Sequence, residues 1–137
     1  MLDWLGATGI GGKVSSGYGK FHVVQKLCLN TPSDAQTKWL RRALSANRAP
    51  YLLLTTSLPQ ADELDSALKD ASFQLVRRSG FMASDCVETP LKKKTQYALA
   101  AGSVLRHSYQ GALYDVSLTD AHPAYRYSKP ILMGVTL

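Results

Sequence analysis

Charge is scarce in this chain: of its 137 residues only 19% are Asp, Glu, Lys or Arg, against 45% hydrophobic residues. That balance excludes a wholly disordered chain and supplies apolar side chains for one compact domain, or one domain and a remnant of another. Cysteine is nearly absent. Cys28 and Cys86 belong to no CxxC pair and to no cysteine–histidine cluster, which argues against a structural zinc site and a disulfide framework. Long apolar runs are missing as well: stretches such as Ala98 to Ala101 and Pro130 to Met133 fall far short of the roughly 20 residues a spanning helix needs. No basic segment precedes an apolar one at Met1 to Leu5, so the expectation is a soluble, cytoplasmic protein without a signal peptide and away from membranes. Acidic residues are the minority, 10 against 16 Lys and Arg, which leaves a net charge of +6. A surface of that sign attracts polyanions, so nucleic acid or an acidic partner is the first expectation.

Glycine, by contrast, is concentrated. Five of the ten lie between Gly9 and Gly19, in Thr8-Gly-Ile-Gly-Gly-Lys-Val-Ser-Ser-Gly-Tyr-Gly-Lys-Phe21. Ahead of this loop, Leu2, Trp4 and Leu5 suit the last turn of a helix closed by Gly6. Behind it, residues 21–25 alternate like a strand. Ser33 and Gln36 have capping-box spacing and predict a helix to about Ala46, with Trp39, Leu40, Ala43 and Leu44 on one face and Lys38, Arg41 and Arg42 as a basic stripe beside it. Residues 51–57 suit a buried strand. A second helix starts over 57–60, with Pro59 in its first turn, Leu64, Ala67, Leu68 and Ala71 as its apolar stripe, and Asp62, Glu63 and Asp65 near its positive end. Residues 73–78, 95–106, 112–117 and 127–135 have strand composition, separated by turn signals at Gly111 and His122-Pro123. The layout is α+β: helices on one face of a mainly antiparallel sheet, close to a ferredoxin-like or RNA-recognition-motif unit that lacks its second helix.

Backbone N–H groups in a glycine-dense loop can approach phosphate oxygens without side-chain bulk, and Lys13, Lys20, Ser15 and Ser16 add charge and hydroxyl donors. The nucleotide fingerprints fail. GxGxxG from Gly9 needs glycine at Val14, and from Gly17 at His22; the Walker spacing from Gly12 to Gly17 meets Tyr18 where lysine is required. What remains is a glycine loop with an aromatic inside it, Gly17-Tyr-Gly-Lys-Phe-His-Val23, loosely like the strand motif on which RNA-recognition sheets stack bases. A tight helix-to-strand connection accounts for the same glycines. Lys92 to Lys94 and the stripe Lys38, Arg41 and Arg42 are either solvated faces or contacts to RNA phosphates or an acidic neighbour.

The loop from Gly9 to Phe21 resembles the glycine-rich loop of the repeat-associated mysterious protein (RAMP) superfamily, the RNA-binding subunits of CRISPR interference complexes. Ala101-Gly-Ser-Val-Leu105, Gln110-Gly-Ala-Leu-Tyr-Asp-Val116 and His122-Pro-Ala-Tyr-Arg-Tyr-Ser-Lys-Pro130 narrow the resemblance to about the C-terminal half of the fourth subunits of type III-A Csm complexes. The resemblance implies a remnant of a first ferredoxin-like domain over 1–49, holding the glycine loop, a strand and a helix, and a degenerate C-terminal ferredoxin-like domain over 50–137. With its first domain incomplete, the strand after the loop is expected to lack sheet neighbours. It further implies a non-catalytic subunit that grips the crRNA 5′ handle and meets the large polymerase/cyclase subunit and a backbone RAMP subunit, in antiviral defence. No cofactor, metal or small-molecule substrate is expected.

Carried over residue by residue, Gly11, Gly12, Gly17 and Gly19 let the loop follow the RNA backbone. Lys13, Ser15, Ser16 and Lys20 meet phosphates, and Tyr18 stacks on a base. His122, Arg126 and Lys129 form a second basic surface on which Tyr125 and Tyr127 pack against RNA or core. Two other readings stay open. One is a metal-independent RAMP endoribonuclease that processes crRNA with His22, His107 or His122 as general base or acid. The other is a scaffold piece that touches protein only.

Overall fold

The computed structural model describes residues 1–11, 13–82, 91–118 and 123–135, which fall into two compact units, Met1–Arg41 and Arg42–Leu137. In the first unit, Leu2–Thr8 forms helix α1. The helix runs past Gly6, the expected stop, and ends at Gly9, whose φ of 92° suits glycine and whose N–H bonds the Leu5 carbonyl at 2.8 Å. Gly6 instead lies buried inside α1, because a Cβ there would meet the Phe21 carbonyl oxygen. The expected strand over 21–25 pairs with nothing among the described residues, and its Val24 is 88% exposed. Helix α2 spans Ala35–Ser45, and the boundary between the units falls within it.

The α2 cap sits one residue later than the sequence suggests. Asp34 Oδ1 accepts the Thr37 N–H at 2.7 Å, and Thr37 Oγ1 accepts the Asp34 N–H at 3.3 Å, a reciprocal box with Thr in the role expected of Gln36. The bond from the Thr37 N–H holds the Asp34 carboxyl below its ordinary pKa. Burying Thr37 rotates the apolar face so that Ala43 is covered and Trp39 is 57% exposed.

In the second unit, strand β1 (Tyr51–Leu53) is the centre of a three-stranded antiparallel sheet. Its chain continues to Ser57, which bridges Leu99 rather than opening a helix, so helix α3 is only Leu64–Leu68. Strands β2 (Leu75–Arg78), β3 (Phe81–Met82), β4 (Leu91–Lys92) and β5 (Gln96–Leu99) follow. β2 pairs with β5 and β3 with β4, both antiparallel, so they are successive parts of one long hairpin. The register shifts by one residue between Arg78↔Gln96 and Phe81↔Lys92; Gly80 still accepts the Lys93 N–H at 2.8 Å, so the bulge of residues 94 and 95 lies opposite Ser79. There the Lys94 N–H turns away to the Val116 carbonyl at 2.7 Å.

The expected strand over 95–106 is interrupted by a turn, and β6 is Val104–Leu105. β7 (Leu113–Asp115) and β8 (Tyr125–Tyr127) form a separate hairpin, and β9 (Leu132–Gly134) returns to β1, giving the sheet order β6-β1-β9. The core gathers Tyr51, Leu53, Ala67, Leu99, Leu105 and Tyr109 between β1, β5, β6 and α3. Leu53 and Leu105 are wholly buried, each contributing about 1.5–3 kcal/mol of hydrophobic stabilisation. The fold is thus α+β with small antiparallel sheets and few helices.

Candidate nucleic-acid interface

The glycine loop is tied at its neck and open at its tip. The Ile10 N–H bonds the Gly19 carbonyl at 3.0 Å and the Phe21 N–H bonds the Gly6 carbonyl at 3.1 Å, so the two ends meet as in an Ω-loop. Glycine is required at the neck by contact: a Cβ on Gly19 would collide with the Ile10 carbonyl, and one on Gly9 would lie 2.9 Å from the Tyr18 carbonyl oxygen. Gly9 belongs to the loop's neck beyond the glycines expected to meet RNA, and its place at the end of an apolar helical turn is the sequence signal for such a positive-φ cap.

At the tip, Val14–Ser16 makes one 3-10 turn, closed by the Gly17 N–H on the Val14 carbonyl at 2.9 Å. Gly11 and Gly17 have φ of 103° and 81° with nothing within 4 Å of an added Cβ, so conformation rather than crowding selects glycine there. The backbone N–H groups of Gly11, Lys13, Val14, Ser15, Gly19 and Lys20 make no hydrogen bond to a described residue. Lys13, Ser15, Ser16 and Lys20 are exposed around them, and Tyr18 is 68% exposed. Backbone donors with no partner among the described residues, two ammonium groups and an exposed aromatic ring on one loop form an array that can bind phosphates and stack a base. Gly12 lies outside the described residues.

The second surface belongs to the β7–β8 hairpin. Its register pairs Leu113 with Tyr127 and Asp115 with Tyr125, so these four share one face; Tyr125 and Tyr127 are 61% and 70% exposed and are not core residues. Arg126 and Tyr114 take the other face. There Arg126 Nη1 donates to the Arg78 carbonyl and to Gln96 Oε1, each at 3.1 Å, fastening this hairpin to β2 and β5. Lys129 is exposed, whereas His122 lies outside the described residues. Asp115 shapes the hairpin, accepting Oγ–H and N–H from Ser117 at 2.7 and 2.9 Å, which lower its carboxyl pKa. Arg126→Ala is expected to lower stability by about 1 kcal/mol, and Tyr127→Ala to stay within about 0.5 kcal/mol, in chemical denaturation.

Among the described residues no cluster of three His, Cys, Asp or Glu could hold a metal, and no helix is long and apolar enough to cross a membrane. The family comparison is decisive for relationship: the CRISPR Csm4 C-terminal domain model matches residues 46–135. The chain belongs to the Csm4 C-terminal domain family. It is 39% identical over 131 residues to the CRISPR system Cms protein Csm4 of Mycobacterium tuberculosis (strain ATCC 25618 / H37Rv), covering 95% of this chain and 40% of that protein. The Streptococcus thermophilus protein of the same name is 32% identical over 134 residues, covering 96% of this chain and 42% of the relative. The chain therefore spans about two fifths of the length of these Csm4 relatives. The Csm4 domain match begins at residue 46, after the glycine loop, but the pairwise similarities cover nearly the whole chain.

Proposed function

We propose that this Csm4-family chain is a non-catalytic crRNA-binding part of a type III-A effector in the cytoplasm, gripping the crRNA 5′ handle and docking the large polymerase/cyclase subunit beside a backbone RAMP subunit. The observation that carries this reading is the glycine loop, whose backbone N–H groups without a hydrogen bond to a described residue stand with exposed Lys13 and Tyr18 towards the tip and exposed Lys20 at the neck. Phosphates take the N–H and ammonium donors, and a splayed base takes the tyrosine ring. The exposed tyrosines of β8 extend the RNA contact in unit 2, and the ferredoxin-like ancestry of both units belongs to the same proposal.

The test is a fluorescence-anisotropy titration of labelled 5′-handle RNA against a scrambled RNA at about 0.15 M salt. Preference for the handle is expected; equal or absent binding by the folded chain rejects handle recognition by this part and favours the protein-only scaffold. Tyr18→Ala is expected to weaken handle binding by about fivefold or more, as loss of one stacked base does. The double change Lys13→Ala and Lys20→Ala is expected to make the plot of log affinity against log salt shallower by about 1.4, two single-strand phosphate contacts. RNA cleavage in chelator, lost on changing one histidine, would replace the non-catalytic reading with the endoribonuclease.

A further inference from the structure

The long hairpin built from β2, β3, β4 and β5 has one covered face and one open face. Antiparallel pairing sets directly opposed residues on the same face, so the register sorts the side chains. Val76 with Ala98, Arg78 with Gln96, and Met82 with Leu91 share one face. That face is covered: Ala98 and Met82 are buried, Arg126 Nη1 reaches Gln96 Oε1 at 3.1 Å, and Arg78 Nη2 donates to Thr56 Oγ1 at 3.1 Å. Arg77 with Tyr97, and Phe81 with Lys92, take the other face. The bulge lies in the second strand, so the alternation of residues 77, 79 and 81 along the first keeps both pairs on one side. All four side chains are exposed, Tyr97 by 59% and Phe81 by 66%, and none makes a hydrogen bond or ion pair to a described residue.

We infer that this open face is a track for single-stranded RNA, separate from the glycine loop, on which Tyr97 and Phe81 each stack one base while Arg77 and Lys92 meet phosphates. In both pairs a ring stands directly opposite a cation, and ring and cation change strands between the pairs. Four residues of strand separate the pairs by about 13 Å, too far for the two rings to clasp one base, so each ring takes its own. Charge agrees with a polyanion: residues 73–82 and 91–99 hold Arg77, Arg78, Lys92, Lys93 and Lys94 but no Asp or Glu. The open face of the β7–β8 hairpin also carries tyrosines, yet Asp115 and no cation share it. An acidic protein segment would engage the cations here and leave the rings exposed, whereas single-stranded RNA uses both. Because every base has a face to stack, the track holds RNA whatever its sequence, unlike a handle-reading loop.

The inference stands apart from handle recognition, since these residues all lie in the second unit. The full chain is titrated by anisotropy with labelled oligouridylate in four forms: native, Tyr97→Leu with Phe81→Leu, Tyr97→Phe, and Arg77→Ala. Chemical denaturation confirms that each variant folds, as expected for side chains this exposed. The double leucine variant is expected to lose about thirtyfold or more in affinity, the worth of two stacked bases. Tyr97→Phe is expected to keep native affinity, because the ring is retained. Arg77→Ala is expected to make the plot of log affinity against log salt shallower by about 0.7, one single-strand phosphate contact. Repeated in a Lys13→Ala, Lys20→Ala chain, the leucine substitutions are expected to cause the same fold-loss. No binding of oligouridylate by the native chain, or native affinity in the folded double leucine variant, overturns the track. A loss that disappears in the Lys13→Ala, Lys20→Ala chain overturns its separateness from the glycine loop. Displacement of oligouridylate by a polyglutamate peptide, with affinity unchanged in the double leucine variant, would assign the face to an acidic protein instead. Absence of handle preference with these losses intact counts against the glycine loop's role and leaves the track standing.

Discussion

Glu63→Ala is expected to destabilise the second unit by about 2–3 kcal/mol, the cost of removing a charged acceptor from two part-buried backbone donors and one exposed one. The Glu63 carboxylate receives the N–H of Gln60 at 2.9 Å, of Gln110 at 2.7 Å and of Gly111 at 3.0 Å, and so fastens the turn before α3 to the segment that enters β7. Beside it the Ser57 and Tyr109 hydroxyls, both buried, lie 2.6 Å apart, and the Tyr114 hydroxyl donates to the Pro59 carbonyl at 2.7 Å. Desolvation pushes the Glu63 pKa up, but the three N–H bonds together outweigh it and hold the group below its ordinary value. A lowered folded pKa means that the stabilisation is complete above the unfolded value of about 4.3 and is lost as pH falls through the folded one. Chemical denaturation at pH 7 and at about pH 3.5 reads both effects. Glu63→Gln should have a flatter acid limb than the native chain, and an identical limb would show that Glu63 does not link folding to protons. On the alkaline side burial raises the Tyr109 pKa, with the Ser57 bond opposing and the Glu63 charge adding to the rise. Its stabilisation is therefore present below about pH 10 and lost as pH rises through the folded value.

Glu63 acts as a hydrogen-bond acceptor and not through the helix dipole that its place near a helix start suggests. It reaches back three residues as in a capping box: its Oε2 accepts the Gln60 and Gly111 N–H groups together and its Oε1 accepts that of Gln110. The same one-residue ambiguity moved the α2 cap from Ser33 to Asp34, since either side chain can accept the first free N–H and only tertiary burial of Thr37 decides between them. Strands 51–57, 73–78 and 112–117 were legible from composition, yet each paired segment is shorter than its pattern, because pairing also needs a neighbour in register; the single strand expected over 127–135 is instead divided between β8, which starts at Tyr125 and pairs with β7, and β9, which pairs with β1. Residues 21–25 show the limit most clearly: their alternation is intact, yet no described strand pairs with them, and 21–28 take no regular secondary structure, with Val24 and Leu27 exposed. For the candidate site, glycine density located the loop, while the neck contacts through Gly6, Gly9 and Gly19 depend on residues that only the folded chain brings together.

Those neck contacts make Gly19→Val the substitution with the largest expected effect on RNA binding, a loss of at least about tenfold on the 5′ handle. Valine at φ 78° is strained for any L side chain, and its Cβ would be driven into the Ile10 carbonyl, so the Ile10–Gly19 hydrogen bond and the meeting of the loop ends cannot both survive. Gly17→Val supplies the graded comparison. It has the same kind of strain at φ 81° but open space around the new side chain, so the tip changes conformation while the neck stays closed, and a smaller loss of binding is expected. Of the two tryptophans, Trp4 lies on α1 at the foot of the loop, whereas Trp39 lies on α2, which crosses into the second unit, so a Trp39→Phe background leaves Trp4 emission as the report on the first unit. The ordering native, Gly17→Val, Gly19→Val in falling affinity, with native tryptophan emission for Gly17→Val and unchanged denaturation of the second unit, is the outcome expected of a loop that presents its backbone to RNA. Undiminished affinity in a Gly17→Val chain with native emission would separate the loop from recognition, because a tip that tolerates valine at its exposed left-handed glycine is not lying along an RNA backbone.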